Sequence, residues 1–144
     1  MPRTPIPAAI RQLVIQRAHE CCEYCRLHQD DADSTHQMDH LIAIKHGGLT
    51  VGENLALACQ LCNRYKGPDL AAIDPVGGMI VPIFNPRTQN WSEYFTLAGA
   101  TIIGLTPAGR ATVELLRLND AARLTDRQTL MTAGRYPPSH ARAS

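Results

Sequence analysis

The chain has 144 residues, enough for one domain with a terminal extension, and 14 Lys and Arg against 13 Asp and Glu leave a formal charge of +1. That balance excludes a global field pulling the protein onto a polyanion, so any hold on nucleic acid falls to local basic groups. Aromatic content of 5% argues against a stacking platform for single strands, and no apolar run is long enough to cross a bilayer.

The N-terminal stretch, Met1-Pro2-Arg3-Thr4-Pro5, lacks the apolar core of a signal peptide, and a cytoplasmic protein is the expectation. Ile6, Ile10, Leu13, Val14 and Ala18 then recur at helical spacing, with Arg11, Gln12, Gln16 and Arg17 on the other side. This predicts an amphipathic helix with Pro7 in its first turn and an apolar stripe covering the core. Arg26 to Gln37 reads as a polar loop. Its Asp30, Asp31 and Asp33 lack the central glycine and terminal glutamate of a calcium loop, and His28 and His36 read as surface residues.

Met38 to Ile44 is β-prone and ends at the Gly47-Gly48 turn. Asn54 to Ala58 gives a second short strand, and Cys59 to Lys66 a short helix stopped by Gly67-Pro68. Further on, Met79 to Phe84 predicts an edge strand bent at Pro82. Trp91 to Leu97 and Thr101 to Leu105 predict two strands joined at Ala98-Gly99-Ala100. Thr106 is a candidate N-cap with Pro107 behind it, and Asn119 or Asp120 closes that helix. Ala121 to Ala133 predicts a last helix, and Gly134 onward, with Pro137-Pro138, a loose tail.

Five cysteines, an odd number, fit a disulfide framework poorly. Four of them form two Cys-x-x-Cys knuckles, Cys22/Cys25 and Cys59/Cys62, which suit one tetrahedral zinc ion with Zn–S near ~2.3 Å. A redox Cys-x-x-Cys needs only one such pair. Cys21 is the spare and reads as a small buried apolar residue.

Between the knuckles lie Asp39-His40-Leu41-Ile42, Gly47-Gly48 and Asn54-Leu55, and the second knuckle continues as Cys59-x-x-Cys62-Asn63-x-x-Lys66. In these residues the chain resembles the HNH endonuclease family, over roughly a third of its length. The place of the family's final histidine holds Asn63, so the site is of the H-N-N type. Phe84-Asn85-Pro86-Arg87, Trp91, Phe95, Gly104-Leu105-Thr106 and Gly109-Arg110 resemble an extension of some bacterial members. The resemblance implies a small ββα-metal core and cleavage of DNA to a 5′-phosphate and a 3′-hydroxyl. It also implies that Asn54 steadies the loop and helps hold the histidine.

Phosphodiester hydrolysis needs an activated water and charge stabilisation at phosphorus. His40 is the natural general base. Asp39 and Asn63 offer hard oxygen ligands, suited to one Mg²⁺ or Mn²⁺. Adjacent strand residues point to opposite faces, so Asp39 and His40 can share a site only if the strand ends or bulges there, as the resemblance implies. Lys66, Arg64 and Lys45 are candidates for phosphate contacts or plain surface charges, and Arg87 and Arg110 are either structural or phosphate-binding. Trp91 reads as a core anchor.

The expectation is thus an α+β protein. Residues 1–68 form a helix plus a zinc-stapled core, residues 69–134 an extension packed on it, and residues 135–144 a flexible tail. The predicted activity is a metal-dependent DNA endonuclease with structural Zn²⁺ and catalytic Mg²⁺ or Mn²⁺. The competing reading is a non-catalytic zinc-ribbon module binding nucleic acid or protein.

Overall fold

The computed structural model describes residues 5–142. Met1–Thr4, most of the stretch on which the expectation of no signal peptide rests, and the last two residues lie outside that range. The described elements run α1 (Ala8–Arg17), β1 (Gln37–His40), β2 (Leu55–Ala58), α2 (Gln60–Lys66), β3 (Ala71–Ile73), β4 (Ile80–Pro82), α3 (Trp91–Tyr94), β5 (Phe95–Ala98), β6 (Thr101–Gly104), α4 (Pro107–Leu115), α5 (Ala121–Thr132) and α6 (Ser139–Arg142). The architecture is α+β. Each pair β1–β2, β3–β4 and β5–β6 is an antiparallel two-stranded sheet. Among the described residues no helix is long and apolar enough to cross a membrane.

The β1–β2 hairpin organises the first half, because both faces of β2 are covered. Alternation sends Leu55 and Leu57 to one side, where they pack with Val14 of α1 and Ala18 at its C-terminal cap. Ala56 and Ala58 face the other side and join a cluster with Cys22, Cys25, Cys59 and Cys62. So α1 covers the back of the hairpin, whereas the sequence placed its stripe over the metal core. The helix is fixed there by the Arg17 guanidinium, whose Nη2 donates to the Leu55 carbonyl at 2.7 Å.

The extension shares the core around the cysteines. Phe84, Phe95, Ile102, Leu116 and Leu118 belong to the same buried cluster. Trp91 anchors it as expected, its indole Nε1 donating to the Tyr24 carbonyl at 2.7 Å. Thr106 caps α4, its hydroxyl accepting from the Gly109 amide at 2.9 Å. Asn119 instead pins β6, exchanging side-chain hydrogen bonds with both backbone groups of Ile102.

Two expectations are corrected and one strand is added. Trp91–Tyr94 forms a helical turn, and the strand begins only at Phe95. Ala71–Ile73 is a strand that periodicity did not mark, paired with β4 and held to α4 through Asp74 and Arg110. The segment after Gly134 is docked: Arg135 Nε donates to Asp31 at 2.6 Å, and the buried Tyr136 hydroxyl donates to the Cys25 carbonyl at 2.6 Å. The tyrosine supplies the apolar anchor that a proline-rich reading overlooks.

Candidate functional site

The two knuckles are built alike. In each, the amide of the second cysteine points at the sulfur of the first, Cys25 N to Cys22 Sγ and Cys62 N to Cys59 Sγ, both at 3.5 Å. Cys59 is also the N-cap of α2, so the second knuckle is wound into a helix start. The four sulfurs lie within 4.8 Å of one another, and all four cysteines are buried. Cys25 Sγ and Cys59 Sγ are 3.7 Å apart, close to the edge of about 3.8 Å of a tetrahedron with ~2.3 Å Zn–S bonds. The donor set fits a structural zinc ion.

Charge around the sulfurs is arranged accordingly. Burial pushes the Cys22 and Cys62 thiols up, while hydrogen bonds from Cys22 draw Cys25 and Cys59 down. Arg123 of α5, only 8% exposed, brings Nη2 to 3.1 Å from Cys62 Sγ and 3.8 Å from Cys59 Sγ. Its Nη1 donates to the Leu116 carbonyl at 2.8 Å. Burial works against the Arg123 charge, but the Cys62 and Cys25 sulfurs more than offset it. Sequence reading missed this arginine, because no spacing rule ties position 123 to cysteines 61 and 64 residues away.

On the hairpin, β1 pairs without interruption, Asp39 opposite Ala56 and His40 opposite Leu55. No bulge turns Asp39 and His40 to one side. Asp39 follows Ala56 into the metal-side core, and its carboxylate is spoken for. Oδ2 accepts from the Tyr24 hydroxyl at 2.6 Å and Oδ1 from Lys66 Nζ at 3.1 Å. Lys66 also reaches the His40 carbonyl at 3.3 Å. Burial raises the Asp39 pKa, with Lys66 and Tyr24 pulling the other way.

Two expected roles change as a result. Lys66 is 2% exposed and is the internal partner of Asp39, so it does not present its ammonium to phosphate. Asp39, its charge already balanced and both oxygens engaged, does not fit as an open ligand for a divalent ion. Asn63 donates from its side-chain Nδ2 to Gln37 Oε1, a bond that does not use the amide oxygen. With Asp39 already committed to Tyr24 and Lys66, the expected Asp39–Asn63 seat for Mg²⁺ or Mn²⁺ lacks its carboxylate.

His40 ends β1 half-buried, and its Nε2 lies 3.0 Å from Thr50 Oγ1. Thr50 lies on the loop between β1 and β2. Asn54 closes that loop: Oδ1 accepts from the Ile42 amide, and Nδ2 donates to the Ile42 and Leu49 carbonyls, each at 2.9 Å. Leu41 adds a backbone bond to Asn54. Lys45 and Arg64 are exposed. Arg87 pairs with Glu23 and Arg110 with Asp74, so both are structural. Thr50 and Tyr24 are further residues that sequence reading did not single out.

A family model described as HNH endonuclease matches residues 22–69. The Septu protein PtuB of Bacillus thuringiensis is similar at 25% identity over 117 residues, which covers 80% of this chain and 43% of that protein. The chain thus spans less than half the length of that relative. No solved structure matches.

Proposed function

Residues 22–69 carry an HNH endonuclease domain, and from that premise we propose that the chain hydrolyses DNA phosphodiester bonds with His40 as the general base. The domain implies nuclease-type chemistry on nucleic acid. The observation that carries the residue assignment is His40 itself: its ring is held by Thr50 at the edge of a loop that Asn54 locks in place. A fixed imidazole at a strand end is suited to proton transfer.

In this reading His40 takes a proton from water, and the water oxygen forms a bond to phosphorus. The bond from phosphorus to the 3′ oxygen breaks, and that oxygen leaves with the electron pair and takes a proton from solvent. The exposed Lys45 and Arg64 are the cations suited to flanking phosphates. A divalent ion in HNH nucleases supplies positive charge at the scissile phosphate. Asp39 already balances Lys66 and so is not placed to hold such an ion. None of the described cysteines is in a disulfide, so all four knuckle sulfurs are available to an ion.

The same Asp39–Lys66 pair favours a second reading, a non-catalytic zinc-stapled module for nucleic acid or protein. One assay separates the two. Supercoiled plasmid is incubated with the protein and Mg²⁺ or Mn²⁺, beside a His40→Ala variant that retains its zinc. Nicking or cutting by the parent and none by the variant is the expected result. Equal activity in both removes His40 from the base role, and inactivity of the parent favours the binding module.

A further inference from the structure

We propose that Thr50 is the positioning residue for the His40 imidazole, an inference that rests on His40 being the general base. The geometry is direct, since Thr50 Oγ1 stands 3.0 Å from His40 Nε2 across a ten-residue gap in sequence. The loop that delivers it has little freedom. Asn54 closes it with three side-chain hydrogen bonds. Gly48 passes so near β1's exit that an added Cβ would lie 1.7 Å from the Ile42 carbonyl oxygen. Lys66 holds the other side of the histidine by its backbone carbonyl at 3.3 Å. Backbone and ring of His40 are thus fixed from different elements.

The chemistry asks for a hydroxyl at this point. When the imidazole takes a proton, both ring nitrogens carry hydrogen, and the group on Nε2 must accept. A threonine hydroxyl accepts in that state and accepts equally from an Nε2–H neutral ring. With the hydrogen on Nε2 the same hydroxyl accepts before and after proton transfer, so the ring need not turn; a hydroxyl can also donate to a bare Nε2, and the imidazole spectrum distinguishes the two. A valine of the same shape keeps the packing and loses the acceptor.

The test uses the full chain with Thr50→Val, Thr50→Ser and His40→Ala, on supercoiled plasmid with Mn²⁺. Thr50→Val should lower kcat by about 10- to 100-fold with KM little changed, and Thr50→Ser should restore most of it. In parallel, ¹⁵N spectra of the imidazoles should show a single His40 tautomer in the parent and a mixture in Thr50→Val. Loss of cutting in His40→Ala with parental cutting in Thr50→Val overturns the inference and leaves the base assignment standing. Parental cutting in His40→Ala overturns the base assignment. If no variant cuts, the spectra decide, and an unchanged His40 tautomer in Thr50→Val sinks the positioning role.

Discussion

Lys66 of α2 and Asp39 of β1 form an ion pair in the interior, Nζ to Oδ1 at 3.1 Å, with side chains 2% and 3% exposed. The pair clamps the short helix behind the second knuckle onto the hairpin. The Tyr24 hydroxyl fills the other carboxylate oxygen at 2.6 Å, so the acid carries two compensating hydrogen bonds. Such a pair is strongly coupled. Removing one member strands a buried charge, at a cost of roughly 3–5 kcal/mol, while replacing both by apolar groups of like volume costs far less. Lys66→Met should therefore destabilise the protein markedly in denaturant unfolding, and the Lys66→Met/Asp39→Leu double variant should recover much of the loss. Additive effects of the two substitutions would show that the pair is not coupled.

Four thiolates around Zn²⁺ carry a net charge of −2, and Arg123 lies against two of the sulfurs. Arg123→Met should keep the fold in the presence of zinc but release the ion faster to a chromogenic chelator, with Arg123→Lys in between because a point charge replaces a fork of donors. Release rates equal to the parent in both variants would deny the arginine any hold on the metal.

Zinc held by these cysteines would support the core more broadly, since thiolate ligation contributes folding free energy. Cys22 and Cys62 are fully buried in a cluster that reaches Phe84, Phe95 and Leu118 of the extension. Strong chelation, or Cys59→Ser, should lower the melting temperature and loosen both halves of the chain together. A melting curve indifferent to both treatments would mean that packing alone holds the knuckles.

Much of the half that carries the four clustered cysteines was legible because its signals are local. Cys-x-x-Cys spacing, the Gly47-Gly48 turn and the Thr106-Pro107 start each declare themselves within a few residues. What was illegible runs between distant positions. Tyr24 and Lys66 meet at Asp39 from 15 and 27 residues away, and Arg123 meets Cys62 from 61. Adjacent residues Asp39 and His40 were assigned one shared site on the strength of resemblance, against strand alternation. β1 keeps its register up to His40, its last residue, and Asp39 turns inward to Tyr24 and Lys66. A lysine in a short helix reads as a solvated charge or a phosphate contact, and nothing within one helical turn reveals that it is buried.

Asp74 offers a pH handle away from the knuckles. Arg110 grips both its oxygens, Nε at 2.9 Å and Nη2 at 2.8 Å, tying the β3–β4 turn to α4. That guanidinium, aided by the Val76 and Gly77 amides, holds the Asp74 carboxyl well below its usual range. A depressed folded-state pKa gives stability that is present above the unfolded value, near ~3.9, and is lost as pH falls towards the folded one. Acid titration should therefore weaken the parent below about pH 4 more steeply than Asp74→Asn. Parallel curves for the two proteins would dismiss the linkage.

Gly48 tests whether the loop geometry serves activity or only the fold. An added Cβ would meet the Ile42 carbonyl oxygen at 1.7 Å and Asn54 Nδ2 at 2.9 Å. Both neighbours belong to the clamp that sets the loop, so Gly48→Ala must shift the path that carries Thr50 to His40. The loop is joined to the core at its ends, through Leu41 and Leu55, and its tip residues Leu49 and Val51 are exposed. The strain should thus be absorbed locally: a modest loss of stability, about 1–3 kcal/mol, beside a disproportionate fall in plasmid nicking. Amide exchange should quicken over residues 41–54 and stay slow in β2 and α2. Nicking at the parental rate, with exchange quickened in the loop, would show that His40 works without the register this loop imposes.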